Sequence, residues 1–211
     1  TIECEHKIIE ENALSKEESQ YLSNYLLKNN IPANFESSNG IYATQYTKDT
    51  MLKMVEEQCA GKTQEEKAKH GLTILTSQIT VVDNIQDLIY NKVSVIDNGK
   101  TPYKKIQQDL SDKYDVIPAT FAPLGKESGE VTSYHINKAT GMDAVVRYFH
   151  ADIKDTIAIG DGFNDLPMFK KAHLSIAMGN APQEIKDKAD RITTSLEEDG
   201  IYHTFKDLNL I

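Results

Sequence analysis

The chain has 211 residues, 39% hydrophobic and 26% charged, an ordinary balance for a globular protein. Its net charge of −9 argues against general binding to nucleic acid or to an anionic membrane surface, but leaves room for a phosphorylated ligand held by local lysines, backbone N–H groups and a cation. No apolar run reaches the length of a membrane span, no signal peptide is read, and Cys4 and Cys59 lack metal spacing, which suits a reducing cytoplasm.

In chain order, Ile2 to Ile9 reads as an edge strand with charges between its apolar positions. Ser15-Lys16-Glu17-Glu18 is a capping box for a helix with Tyr21, Leu22, Tyr25 and Leu26 on one face, ended by Asn29-Asn30 and Pro32. Ala33 to Thr44 predicts two antiparallel strands with Asn39-Gly40 as the turn. A helix from Asp49 follows, with Met51, Met54 and Val55 at core spacing. Thr63-Gln64-Glu65-Glu66 caps a short helix, and Leu72 to Val82 fits either a strand or a buried helix. Val93 to Ile96 predicts a strand. Thr101 as cap with Pro102 in the first turn then opens a helix carrying Tyr103, Ile106, Leu110 and Tyr114 on one face. Strands are expected at Asp115 to Phe121 and Glu130 to Ile136. Residues 1–136 therefore read as an α+β domain.

After Asn137 the pattern changes. A helix from Lys138 carries Met142, Val145, Val146 and Phe149 on one face. A strand at Thr156 to Gly160, a helix to about Ala172, a strand at Leu174 to Met178, a helix near Pro182 and a short strand at Arg191 to Thr193 follow. This alternation predicts a doubly wound parallel sheet over residues 137–211.

The stretch Thr156 to Met168, TIAIGDGFNDLPM, carries the chemistry. A carboxylate at the C-terminal end of a strand in an open parallel sheet lies where such sheets bind ligands, so Asp161 suits a metal ligand or a general base. Asp165 lies at a helix N-terminus, where negative charge is favoured. The same residues also fit a plain turn and a helix cap.

The full string Gly160-Asp161-Gly162-Phe163-Asn164-Asp165-Leu166-Pro167-Met168 resembles the fourth motif of the haloacid dehalogenase-like phosphatases, Gly-Asp-x-x-Asn-Asp, in its Cof-type form. Lys138, opening a helix with Gly141 behind it, resembles the third motif. Ala177-Met178-Gly179-Asn180-Ala181 resembles the next loop, and Ala189-Asp190 through Glu198-Asp199-Gly200-Ile201 the closing segment. The resemblance implies an α/β core with a doubly wound parallel sheet and an α+β cap, the cap being residues 1–136 and the core residues 137–211. It implies a magnesium-dependent phosphatase that works through an aspartyl-phosphate on a small phosphorylated metabolite. Asp161 and Asp165 become the Mg²⁺ ligands, Lys138 and Asn164 the phosphate contacts, and Lys138 and Asp161 the catalytic pair. The Gly179-Asn180 loop reads as a support, with Asn180 as a helix cap.

The family's first motif, Asp-x-Asp-x-Thr, supplies the nucleophile and does not occur in these 211 residues. The expectation is therefore an incomplete core, inactive alone, whose strand at Thr156 to Gly160 awaits a neighbour from a missing N-terminal segment or a second chain. The alternative is a non-catalytic remnant that binds a phosphorylated ligand or a partner chain.

Overall fold

The computed structural model describes residues 1–119 and 121–211 and divides into two compact units. One comprises Thr1 with Asn12–Tyr134, the other Ile2–Glu11 with His135–Ile211. The strand expected over Ile2 to Ile9 is instead a hairpin of β1 (Ile2–Cys4) and β2 (Lys7–Glu10). Glu5 and His6 turn it with φ of 49° and 63°, the paired positive values that match strand twist.

In the first unit, α1 (Lys16–Lys28) starts on the predicted capping box, the Ser15 and Glu18 side chains each accepting from the other's backbone N–H. β3 (Ala33–Ser37) and β4 (Gly40–Ala43) pair around a turn at Ser38-Asn39, one residue earlier than the Asn39-Gly40 reading. Gly40 takes the first strand position with φ 144°. α2 (Gln45–Gln58) begins before Asp49 because the Thr44 hydroxyl already caps the Thr47 N–H. α3 (Gln64–Lys69) keeps its Thr63 box. The ambiguous apolar stretch resolves into both alternatives, α4 (Gly71–Ser77) and then β5 (Ile79–Val81). β6 (Lys92–Val95) precedes α5 (Tyr103–Leu110), which Thr101 does not cap: Pro102 holds that position, and Glu127 accepts the Tyr103 N–H at 2.9 Å. β7 (Tyr114–Pro118) ends before the expected Phe121, with Thr120 outside the described residues, and β8 (Gly129–Ser133) completes the sheet.

The six strands run β5-β4-β3-β6-β8-β7, antiparallel except for β4 with β5. Strand alternation sends Ala33, Phe35, Val93, Val95, Val116 and Val131 to one face, where they pack with Leu22 and Leu26 of α1 and Ile106 and Leu110 of α5. A second cluster joins Met51 of α2 and Leu72 of α4 to Ala43, Ile79 and Leu124, so the methionine at helical spacing is core.

The second unit contains α6 (Lys138–Tyr148), β9 (Ile157–Gly160), α7 (Leu166–Lys171), β10 (Leu174–Ala177), α8 (Gln183–Lys186), β11 (Arg191–Ile192) and α9 (Gly200–Asp207). Its sheet is parallel, in the order β11-β10-β9, the α/β arrangement expected from the alternation. Among the described residues β9 pairs on one side only. The β1–β2 hairpin packs on α6, tied by Arg147 to Glu10 at 3.1 Å and by the Tyr148 hydroxyl donating to Glu5 at 3.1 Å. This packing groups residues 2–11 with the second unit rather than with 12–134.

Tyr90 shows how tightly the first unit is specified. Its side chain is fully buried, and its hydroxyl donates to the Ser19 carbonyl at 2.7 Å and lies 3.0 Å from the Ser23 hydroxyl. Tyr90→Phe keeps the ring and strips both partners, so it should lower stability by about 1–2 kcal/mol, the cost of one buried hydrogen bond with an orphaned acceptor. Urea unfolding followed by tyrosine fluorescence checks this.

Candidate active site

β9 ends at Gly160, and the chain then turns through Asp161 and Gly162 into a 3₁₀ turn at Phe163–Asp165 and on into α7. Asp165 is 2% exposed. Its Oδ2 accepts from the N–H groups of Asp161 and Gly162, both at 2.9 Å, and its Oδ1 pairs with the Lys138 ammonium. One buried carboxylate thus shapes the loop and holds the lysine. Gly160 is needed for space: a Cβ there would stand 2.3 Å from the Asp165 carboxyl carbon. Lys138 is the first residue of α6, which the Asn137 side chain caps by accepting from Ala139 and Thr140.

Asp161 has a different environment. It is exposed, and its Oδ2 accepts from the Asn180 amide at 3.0 Å. Asn180 sits between β10 and α8, and its own Oδ1 accepts the Leu196 N–H at 3.1 Å. It therefore does not cap α8, whose capping position is Pro182 with no side-chain bond. The neighbouring Gly179 donates to the Thr194 carbonyl at 3.0 Å, and a Cβ on it would stand 2.6 Å from the Ser195 nitrogen. The closing segment can therefore approach only a glycine.

Lys138, Asp161, Asp165 and Asn180 line an open cleft of about 240 Å³, with Met178, Leu196 and Ile201 as apolar walls. Of the residues expected from the sequence, Lys138, Asp161 and Asp165 come together here. Asn164 is part-buried in the 3₁₀ turn and does not line the cleft. Asn180 is the polar residue that sequence reasoning missed. The available signal was its position just past a second parallel strand, at the same carboxyl end of the sheet as Asp161.

Both oxygens of Asp165 accept from protein donors, whereas the exposed Asp161 carboxylate accepts from the Asn180 amide at Oδ2. Among the described residues, no group of three or more His, Cys, Asp or Glu side chains is arranged to hold a metal. A single carboxylate still fits Mg²⁺, a hard cation that keeps several of its waters.

Residues 1–205 match the haloacid dehalogenase-like hydrolase family. The chain belongs to this family. YkrA of Bacillus subtilis (strain 168) is 42% identical over 84 residues, which cover 40% of this chain and 33% of that protein. The 5-amino-6-(5-phospho-D-ribitylamino)uracil phosphatase YcsE of the same organism is 40% identical over 72 residues, 34% of this chain and 29% of that protein. These matches span about a third of the relatives' lengths. The solved structure of the HAD subclass IIB sugar phosphatase BT4131 superposes with a TM-score of 0.72 at 20% identity, covering 97% of this chain and 71% of that one, and so shares the fold.

The loop's dependence on one carboxylate can be measured. Asp165→Ala orphans two N–H groups and removes the partner of the Lys138 ammonium, and should cost about 1–3 kcal/mol by the loss of charge-assisted hydrogen bonds. Gly160→Ala should lower the melting temperature comparably, because its methyl group displaces the same carboxylate. Asp161→Ala, on an exposed side chain, should leave the melt near wild type. Thermal melts of the three variants followed by circular dichroism check the ordering.

Proposed function

We propose that the chain supplies the lysine and metal-binding side of a magnesium-dependent phosphatase site that hydrolyses a small phosphorylated metabolite. The observation that carries this reading is the convergence of Lys138, Asp161 and Asn180 around the buried Asp165 at the carboxyl end of a parallel sheet. Family membership supports the hydrolase class, and the relatives named as phosphatases support the phosphoric ester.

Each residue has a role on this reading. Asp161 holds Mg²⁺, which when bound offsets the charge of the phosphoryl oxygens. Asn180 aims the Asp161 carboxylate with a neutral amide and so leaves its charge available to the cation. Lys138 spends one donor on Asp165 and turns its remaining ammonium hydrogens toward a bound phosphate. Asp165 fixes the position of Lys138 and the shape of the loop. The nucleophilic aspartate that would take the phosphoryl group lies outside these 211 residues, and its strand pairs with the free side of β9. Residues 12–134 serve as the cap that selects the organic part of the substrate. Cys4 and Cys59 are both buried free thiols, which fits work in the cytoplasm; no helix among the described residues is long and apolar enough to cross a membrane.

Two measurements test the reading. Titration of the 211-residue chain with Mg²⁺ should move the backbone NMR signals of Gly160, Asp161 and Gly162, and Asp161→Ala should abolish the response. A silent wild-type spectrum would remove the metal assignment. The same chain should fail to hydrolyse a generic aryl phosphate in the presence of Mg²⁺. Robust turnover, lost in Asp161→Ala and measured on a sample that mass spectrometry shows to hold no other polypeptide, would place the nucleophile within these residues and overturn that part of the proposal.

A further inference from the structure

The face of the six-stranded sheet opposite the α1–α5 core carries an array that the phosphatase chemistry does not use. Register places Asn34, Ser94 and Glu130 in one row across β3, β6 and β8, and Glu36, Lys92 and Thr132 in the next. Side chains in adjacent rows reach one another diagonally. The Ser94 hydroxyl donates to Glu36 Oε1 at 2.5 Å. Lys92 bridges both rows, 3.3 Å from Glu36 Oε2 and 3.4 Å from Glu130 Oε2. Burial pushes the Lys92 ammonium down, but the two carboxylates outweigh it and hold its pKa above the ordinary lysine value. The group therefore carries two negative charges and one positive charge.

This array forms the polar floor of a cavity of about 280 Å³. Its walls are apolar: Ile74 and Leu75 of α4, and Phe121. The Phe121 ring lies so close to α4 that a Cβ on Gly71 would meet it at 3.0 Å, so the glycine makes room for the aromatic wall. Glu130 is the most enclosed of the three charged groups, with its side chain 13% exposed, and its Oε2 is the oxygen turned to Lys92. Beside Ser94 in the same row, Asn34 is 1% exposed, and neither its amide oxygen nor its amide nitrogen has a hydrogen-bond partner. Buried polar atoms left without partners are uncommon in folded proteins.

We propose that this cavity is a binding site for an amine-bearing, hydroxyl-rich group of the amino-sugar class. Three features select that chemistry. The excess negative charge favours an ammonium and repels a phosphate or carboxylate. The open lone pairs of Glu130 and Glu36 and the remaining hydrogen of Lys92 match the alternating donors and acceptors of hydroxyl groups. Phe121 and Leu75 offer an apolar surface to the C–H face of a ring. At about 280 Å³ the cavity lies just below the lower end of the range for small-molecule pockets, which combine apolar walls with a few convergent polar groups, and so suits a single small group. Nothing in this assignment requires catalysis, so it stands or falls independently of the phosphatase reading.

Binding is read by NMR on the 211-residue chain, with glucosamine, glucose and gluconate as probes. Glucosamine should shift the backbone signals of Glu36, Lys92, Ser94 and Glu130, glucose should do so more weakly, and gluconate not at all. Glu130→Gln should weaken glucosamine about tenfold, the loss of one charge-assisted hydrogen bond, while its melting temperature stays near wild type. Lys92→Met raises the net negative charge of the cavity and should tighten glucosamine binding. The proposal fails if glucosamine leaves these signals unmoved or if gluconate binds as well as glucosamine. It also fails if Lys92→Met weakens glucosamine while the chain remains folded.

Discussion

The carboxylate of Asp165 is the interaction on which the site depends. It accepts two backbone N–H groups from the turn it follows and an ammonium from a helix that begins 27 residues earlier. A carboxylate buried to this degree would be costly without such partners. Here the partners are the loop and the lysine that line the cleft, so satisfying the buried charge and shaping the candidate site are one event. Gly160 follows from the same constraint, since any side chain at that position would occupy the space of the carboxyl group. The loop after β9 is therefore specified by packing and hydrogen bonding before any ligand enters.

Two aspartates four residues apart have opposite environments. Asp165 is buried and ion-paired and accepts from three donors, whereas the Asp161 carboxylate is exposed and accepts from a neutral amide. Sequence alone could not separate these roles, because both aspartates belong to one short motif and either could be offered to a cation. The separation comes from tertiary geometry: Lys138 reaches Asp165 and not Asp161, and Asn180 reaches Asp161 from a different strand connection. Asn180 was hidden for the same reason. Its side chain acts on a residue 19 positions away, and an Asn shortly before a proline reads locally as a helix cap.

Much of the architecture was legible in local signals. The capping boxes at Ser15 and Thr63 start helices where expected, and the 3.6-residue spacing of Met51 does mark core. The alternation after Asn137 does give a parallel sheet. The misreadings lie where two local signals compete. Ile2 to Ile9 alternates like one strand, yet Glu5 and His6 break it with positive φ, a conformation uncommon for residues other than glycine. Leu72 to Val82 fitted two templates because it contains two elements, a helix and a strand in immediate succession. Thr101 looked like a cap, but Glu127, remote in sequence, supplies the acceptor instead.

The charge balance of the cleft bears on the order of events at the proposed site. Two aspartates and one lysine leave it with a net charge of −1, so a phosphate dianion entering alone is repelled. Two like charges about 4 Å apart cost about 4 kcal/mol at the effective dielectric near a protein surface. A divalent cation on Asp161 reverses the sign of the cleft and turns that repulsion into attraction. Lys138 cannot do this by itself, because Asp165 already offsets its charge. Phosphate affinity should then be coupled to cation occupancy, and by linkage each ligand strengthens the other by the same factor. On the proposed reading, the pairing that holds Lys138 in position is thus also what couples phosphate binding to a cation.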